Sequence, residues 1–340
     1  MPRIVFIRPC CIGDVLQATA ALQALRRHYP DAHITWAVGG WSKAAIADHD
    51  LLDAVLDTGE AANPAAGVTG LGRMVRWLRA GKFDIAVSLV RSPWMSLAVL
   101  LSGISTRAGI DSGGRGFGYN RKISVDPREA RHEAEIYLDV VRLLGAETTG
   151  CTVNVPVNVP NPLDDVASPY VVLNPTGGDN PGMTMHSKRW PPANFAALGD
   201  ALAARFGVRL VLVGGPGDIP ILEAVEAELR HPVQVFAGDL TFAQIATLAH
   251  ESCCYIGNDT GLTHLAAAAG AKTVMILGPS DPARYAPFAS DTLALWRPYT
   301  LGGGGVADGA PADFDWSRHG IGVDAVIAQV STFMQRFTSS

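Results

Sequence analysis

The chain has 340 residues, of which 48% are hydrophobic and 17% charged, and its formal net charge is −5. This is the composition of a well-buried globular protein long enough for two cores; it excludes a disordered chain, and the lack of a basic block argues against a nucleic-acid partner. No apolar run reaches the roughly 18 residues of a membrane span, and the five cysteines (the adjacent pairs Cys10-Cys11 and Cys253-Cys254, plus Cys151) lack zinc-ligand spacing and read as reduced thiols.

In chain order, residues 3–7 read as a short apolar strand, 15–28 as a helix and 33–38 as a second strand. A Gly- and Ala-rich loop over 59–72 precedes a helix near 74–80 and a strand at 83–90, and a helix over 132–144 closes the first half. Residues 153–168 (VNVPVNVPNPLDDVAS) repeat Pro and Asn and suit a domain linker. The pattern then restarts with strand 170–174, helix 192–206, strand 208–213, helix 219–229, strand 233–236, helix 242–250 and strand 273–277. Two such series predict an α/β protein of two doubly wound, Rossmann-like parallel sheets, with domains at 1–155 and 168–322 facing a cleft. A last helix within 323–340 follows a Gly-rich loop at 301–309 and is free to cross back onto the first domain. The chain enters its first strand without the layout of a secretion signal, so the expected location is the cytoplasm, with work at a membrane surface left open.

Chemistry concentrates in loops at strand ends. The most informative runs from Gly257 to Ala268 (GNDTGLTHLAAA): an apolar strand, a tight polar loop and a small-residue helix. Gly257 and Gly261 allow the sharp turn, Thr260 can cap the helix, and the free N–H groups behind it favour a phosphate. Asp259 and His264 add groups for sugar hydroxyls; an ordinary capped turn with a core-facing His is the plainer alternative. The loop 9–14 places Asp14 at the start of a helix, as a cap or as a general base. The long polar loop 174–190 carries Thr184 and Lys188, the latter a point charge for a diphosphate or else a solvated lysine. After strand 208–213, Asp218 suits either a ribose contact or a helix cap. The lone Gly in the first loop is not a dinucleotide fingerprint. No Asp-x-Asp pair stands at a strand end, so no metal is expected, and Asp164-Asp165 falls in the linker.

Together, Ile7-Arg8-Pro9 with Gly13-Asp14-Val15-Leu16, Lys188-Arg189-Trp190-Pro191, Gly214-Gly215-Pro216 and the run from Asn258 to Ala268 resemble family 9 glycosyltransferases, the bacterial heptosyltransferases of the lipopolysaccharide inner core. The resemblance implies a glycosyltransferase B fold, with the acceptor on the first domain and an ADP-activated sugar on the second. It implies an inverting, metal-independent transfer that uses no cofactor, and a lipopolysaccharide core acceptor reached at the cytoplasmic face of the inner membrane. Carried over by position, Asp14 is the base. Thr184 and Lys188 contact donor phosphates, Lys188 also counters charge on the leaving group, Asp218 meets the ribose, and Asp259, Thr260, Gly261, Leu262 and His264 hold sugar and diphosphate. Cys10 and Cys11 stand where small hydroxylated residues are usual, and Asp218 is one carbon shorter than the usual Glu.

A basic cluster, Arg107, Arg115, Arg121 and Lys122, surrounds the Gly-rich loop 111–119 and suits an anionic acceptor or plain surface charge. His132 reads as a capping or surface residue. The alternatives to heptosyl transfer are a transferase with another nucleotide sugar or a protein acceptor, an epimerase or hydrolase of nucleotide sugars on the same fold, and a non-catalytic nucleotide-sugar binder. The donor sugar, acceptor, linkage and oligomeric state are not legible in the sequence.

Overall fold

The computed structural model describes residues 1–164, 168–180, 183–299 and 314–338. The loop at 301–309 and Asp165 lie outside them. The chain divides into two compact units, Met1–Val155 and Pro156–Ser340.

The first unit runs β1 (Arg3–Ile7), α1 (Ile12–His28), β2 (His33–Val38), α2 (Gly40–Lys43), β3 (Ala54–Asp57), α3 (Gly67–Ala80), β4 (Ile85–Ser88), α4 (Pro93–Ser102), β5 (Thr106–Asp111), β6 (Arg121–Ser124) and α5 (Glu133–Arg142). Its strands form one parallel sheet in the order β3-β2-β1-β4-β5-β6. β1 is central and helices cover both faces, which is why Ile4 to Ile7 is a continuous apolar run, fully buried. α1 starts at Ile12, three residues before the sequence expectation, so Asp14 lies inside its first turn. α4 was not expected, because PWMSLAVLLS is apolar nearly all round and hides its period. It is nonetheless well specified: Ser92 accepts from the Met95 N–H, Pro93 occupies the first turn, and Gly103 ends it at φ 83°.

The second unit runs β7 (Tyr170–Asn174), the short hairpin β8 (Asp179–Asn180) and β9 (Met183–Thr184), α6 (Pro192–Phe206), β10 (Arg209–Gly214), α7 (Ile219–Glu228), β11 (Val233–Ala237), α8 (Phe242–His250), β12 (Cys254–Asn258), α9 (Gly261–Ala268), β13 (Thr273–Ile276), α10 (Pro282–Tyr285), β14 (Thr292–Leu295), α11 (Trp316–His319) and α12 (Val323–Thr338). Its parallel sheet has the order β11-β10-β7-β12-β13-β14, with β7 and β12 at the centre. The two units thus repeat one topology. α12 sends Val326, Val330, Phe333 and Met334 into the same core as Phe195, Leu198 and Leu202 of α6. The apolar stripe that left this helix free to cross to the first domain is therefore taken up inside the second unit.

Candidate active site

In the second unit, the end of β12 and the start of α9 are tied to the loop after β7 by one buried side chain. Asn258 donates through Nδ2 to the carbonyls of Pro175 and Thr176 at 2.8 and 3.1 Å, and its Oδ1 accepts from the Trp190 N–H at 3.0 Å. The Thr263 hydroxyl donates to the Asn258 carbonyl at 2.7 Å. Thr260 caps α9, accepting from the Leu262 N–H at 3.1 Å, and the His264 N–H donates to the Thr260 carbonyl. The close fit needs glycine at two places. A Cβ on Gly257 would stand 2.5 Å from Thr263 Oγ1, and one on Gly177, whose φ is +112°, would stand 2.2 Å from Thr260 Cγ2.

Beside the helix start, Lys188 Nζ lies 2.6 Å from Asp259 Oδ2, and His264 Nε2 is 3.9 Å from Oδ1. Burial alone would raise the Asp259 pKa. No single neighbour outweighs it, but the Lys188 and His264 side chains together with the other polar groups around the carboxyl do, and it is held below its ordinary range. Lys188 Nζ also sits over the Tyr285 ring at 5.7 Å. The structure thus gathers Lys188, Asp259, Thr260, Gly261, Leu262 and His264, six of the residues proposed from sequence, at one sheet edge where a helix N-terminus and an ammonium are adjacent.

Asp218 and Thr184 stand beside that group, joined to it through a residue with no role assigned from sequence. Arg189 donates to the Gly177 carbonyl at 2.6 Å and to Asp179 Oδ2 at 2.7 Å, and its Nη2 is 3.8 Å from Asp218 Oδ1. Thr184 is exposed on β9, directly across the hairpin from Asp179. Asp218 accepts from the Gly215 N–H at 2.9 Å and so caps the short turn Pro216–Asp218; its side chain does not cap α7. Both carboxylate oxygens of Asp218 therefore already face donors within the chain.

In the first unit, Asp14 does not cap α1, whose N-cap is Cys11. Its Oδ2 meets Arg8 Nη2 at 2.5 Å, and the Tyr137 hydroxyl donates to its Oδ1 at 3.4 Å. Arg8 is itself fixed, donating through Nη1 to the Leu89 carbonyl at 3.0 Å and stacking on the Tyr137 ring at 5.5 Å. Burial works against the Arg8 charge, but Asp14, Tyr137, Glu133 and Cys11 together outweigh it and raise its pKa. Burial pushes the Tyr137 phenol well up, so it stays a donor. Arg91 pairs with the buried Glu133 at 2.9 Å next to this cluster. Arg8 and Tyr137 were missed from sequence: Arg8 stood inside a quoted motif, whereas nothing local marks Tyr137, 123 residues from Asp14.

The basic cluster proposed for an acceptor is largely committed to its own fold. Arg107 donates to the carbonyls of Gly118 and Ile104 at 2.8 and 2.6 Å, Arg121 to that of Leu143 at 2.8 Å, and Lys122 pairs with Asp111 at 2.6 Å. Arg115 is exposed. These residues lie on or between β5 and β6 at the sheet edge, whereas Asp14 follows the central β1. His132 caps α5, its Nδ1 accepting from the Ala134 N–H at 3.2 Å. Among the described residues no group of three or more His, Cys, Asp or Glu side chains is placed to hold a metal ion.

Two doubly wound parallel sheets of matching topology, the second carrying a capped helix start beside a lysine, make the architecture of the glycosyltransferase B fold. The structure overlays a family 9 glycosyl transferase from Veillonella parvula with a TM-score of 0.78 at 21% identity, covering 98% of this chain and 97% of the other. It also overlays the ADP-heptose lipopolysaccharide heptosyltransferase II of Escherichia coli, with a TM-score of 0.74 at 19% identity and 99% of both chains covered. In sequence, the chain is 27% identical over 300 residues to lipopolysaccharide heptosyltransferase 3 of Escherichia coli, spanning 84% of this chain and 86% of that protein. The chain belongs to glycosyltransferase family 9 (heptosyltransferase), whose profile matches residues 71–300.

Proposed function

We propose that this enzyme moves a heptosyl group from ADP-heptose to a lipopolysaccharide inner-core acceptor, with inversion and without a metal ion. The observation that carries the reading is the Lys188 ammonium, held by Asp259 beside the N-terminus of α9, where its N–H donors and those of the helix start suit a diphosphate. The names of the relatives, lipopolysaccharide heptosyltransferases, supply the sugar and the acceptor class. In this reading Asp259 anchors the ammonium, and Lys188 with the N–H groups of α9 meets the negative charge that grows on departing ADP. Thr184 lies toward the phosphates, Asp218 toward the ribose, and His264 toward the sugar. Arg189 positions Asp218. In the first unit Asp14 accepts the proton of the acceptor hydroxyl as that oxygen attacks the anomeric carbon, so that one displacement inverts the centre. Arg8 and Tyr137 hold the carboxylate in place. The enzyme then works in the cytoplasm at the inner face of the membrane that carries its acceptor.

The test is incubation with ADP-heptose and a truncated core acceptor in the presence of a chelator, with the product's anomeric configuration read by NMR. Inverted glycoside without added metal is the expected result. Free heptose or isomerised donor formed in the absence of acceptor would instead assign a hydrolase or an epimerase, and loss of turnover on chelation would overturn the metal-free mechanism.

A further inference from the structure

α3 and α4 pack side by side over the core of the first unit, burying Met74 and Leu78 from one and Met95, Ala98 and Val99 from the other. Their outer faces are unusual for a surface. On α4, Trp94 is 38% exposed, Leu100 40% and Leu101 44%, and the half-buried Leu97 lies between them at helical spacing. The stripe continues onto the β5–β6 loop, where the Gly118 N–H donates to Ser96 Oγ at 2.7 Å and so brings Phe117, 52% exposed, against α4. Scattered apolar residues need no explanation, but a contiguous stripe of this kind does.

The flanks are basic. Arg73, Arg76 and Arg79 follow one another at three-residue spacing along the outer face of α3, and Arg79 reaches across to the Leu101 carbonyl at 2.8 Å. Arg115 stands two residues from Phe117 on the other side. Neither α3 nor α4 contains a single Asp or Glu, although the chain as a whole is acidic. An apolar ridge with aromatic residues and a rim rich in arginine, whose nearby acid Asp111 is itself paired with Lys122, is the composition that seats in the headgroup layer of an anionic bilayer. A second copy of this chain fits poorly, because a two-fold contact through this face would set arginines against arginines.

We infer that the α3–α4 face is a docking surface for an anionic lipid bilayer, with Trp94, Leu100, Leu101 and Phe117 entering the interface and Arg73, Arg76, Arg79 and Arg115 meeting lipid phosphates. The inference rests on this surface and not on the proposed reaction, and it is read without substrates. The full chain is sedimented with vesicles of phosphatidylcholine alone and of phosphatidylcholine mixed with phosphatidylglycerol. Binding is expected only to the mixed vesicles, falling as salt is raised. The double variant Leu100→Glu/Leu101→Glu and, separately, Arg73→Glu/Arg76→Glu should each weaken it by about ten-fold or more. Circular dichroism and turnover on a soluble truncated acceptor should stay as in the parent, which separates lost docking from lost folding. Equal binding to both vesicle types, or unchanged binding by the two variants, would overturn the proposal. A parent dimer that the same substitutions dissociate would also overturn it, in favour of contact between copies.

Discussion

Each unit carries one carboxylate paired with one cation near the middle of its sheet, and the two pairs are built differently. Asp259 is sealed, with its side chain 6% exposed, and its partner Lys188 ends a flexible stem. Asp14 is 26% exposed, and its partner Arg8 is pinned by the Leu89 carbonyl and the Tyr137 ring. A sealed carboxylate that anchors a lysine serves to place the cation. An open carboxylate with a fixed cation is itself the group on offer. The same two charges thus suit phosphate binding in one unit and proton transfer in the other, and the difference lies in which member of the pair solvent and substrate can reach.

The largest expected effect tests the open carboxylate. Asp14→Asn keeps size and most contacts but cannot take a proton, and kcat should fall by about 10²–10⁴-fold. Affinity for ADP, measured by calorimetry on the same variant, should stay within about 1 kcal/mol of the parent, since the nucleotide is assigned to the other unit. Near-normal turnover would remove the distinction between the pairs by making Asp14 merely structural.

The sealed pair predicts an asymmetry in stability. Lys188→Ala strands a buried carboxylate and should cost about 3–5 kcal/mol in denaturant unfolding, together with roughly 1.5–3 kcal/mol of ADP affinity. Asp259→Ala should cost less, about 2 kcal/mol, because the freed lysine stem can carry its charge toward water. The reverse order would mean that Asp259 is not the trapped member.

The smallest effect is on acid stability. Asp259 has a folded pKa below its unfolded value, so the unfolded state binds the proton first as pH falls. Its contribution is complete above the ordinary carboxylate range, near pH 4, and is lost as pH drops through the depressed folded value. The slope for this one group is at most about 1.4 kcal/mol per pH unit. Asp259→Asn should flatten that limb of the stability curve, and an unaltered limb would show that the pair does not report on this carboxylate.

The layout of the sheets was legible in the sequence because strands covered on both faces appear as unbroken apolar runs, as in Val171 to Leu173 and Val211 to Val213. The cradle was legible for another reason: Gly257, Thr260 and Gly261 announce a turn and a cap by residue type alone. β5, β6 and α4 escaped, the strands because only three of their ten residues are buried and the helix because its apolar content erases periodicity. Charge was the most misleading signal. Arg107 and Arg121 look available in the sequence, yet the backbone carbonyls they bind come from Gly118, Ile104 and Leu143, and no local pattern reveals a carbonyl's orientation. The reverse holds for Arg8, Tyr137 and Arg189, whose importance comes from partners that only the fold brings near.

The bonds of Asn258 span 68 residues to Trp190, 82 to Thr176 and 83 to Pro175. Contacts so distant along the chain carry the same loop-closure cost as the pairing of β12 with β7, which joins residues 83 apart, so they close together with the centre of the second sheet. A chain with its helices formed but β7 and β12 not yet joined would have much of its secondary structure and no cradle. Under the proposed function, ADP binding would then report closure of the sheet centre: refolding followed by ADP binding should lag refolding followed by helix formation, and the interval between the two measures the time needed to join β7 to β12.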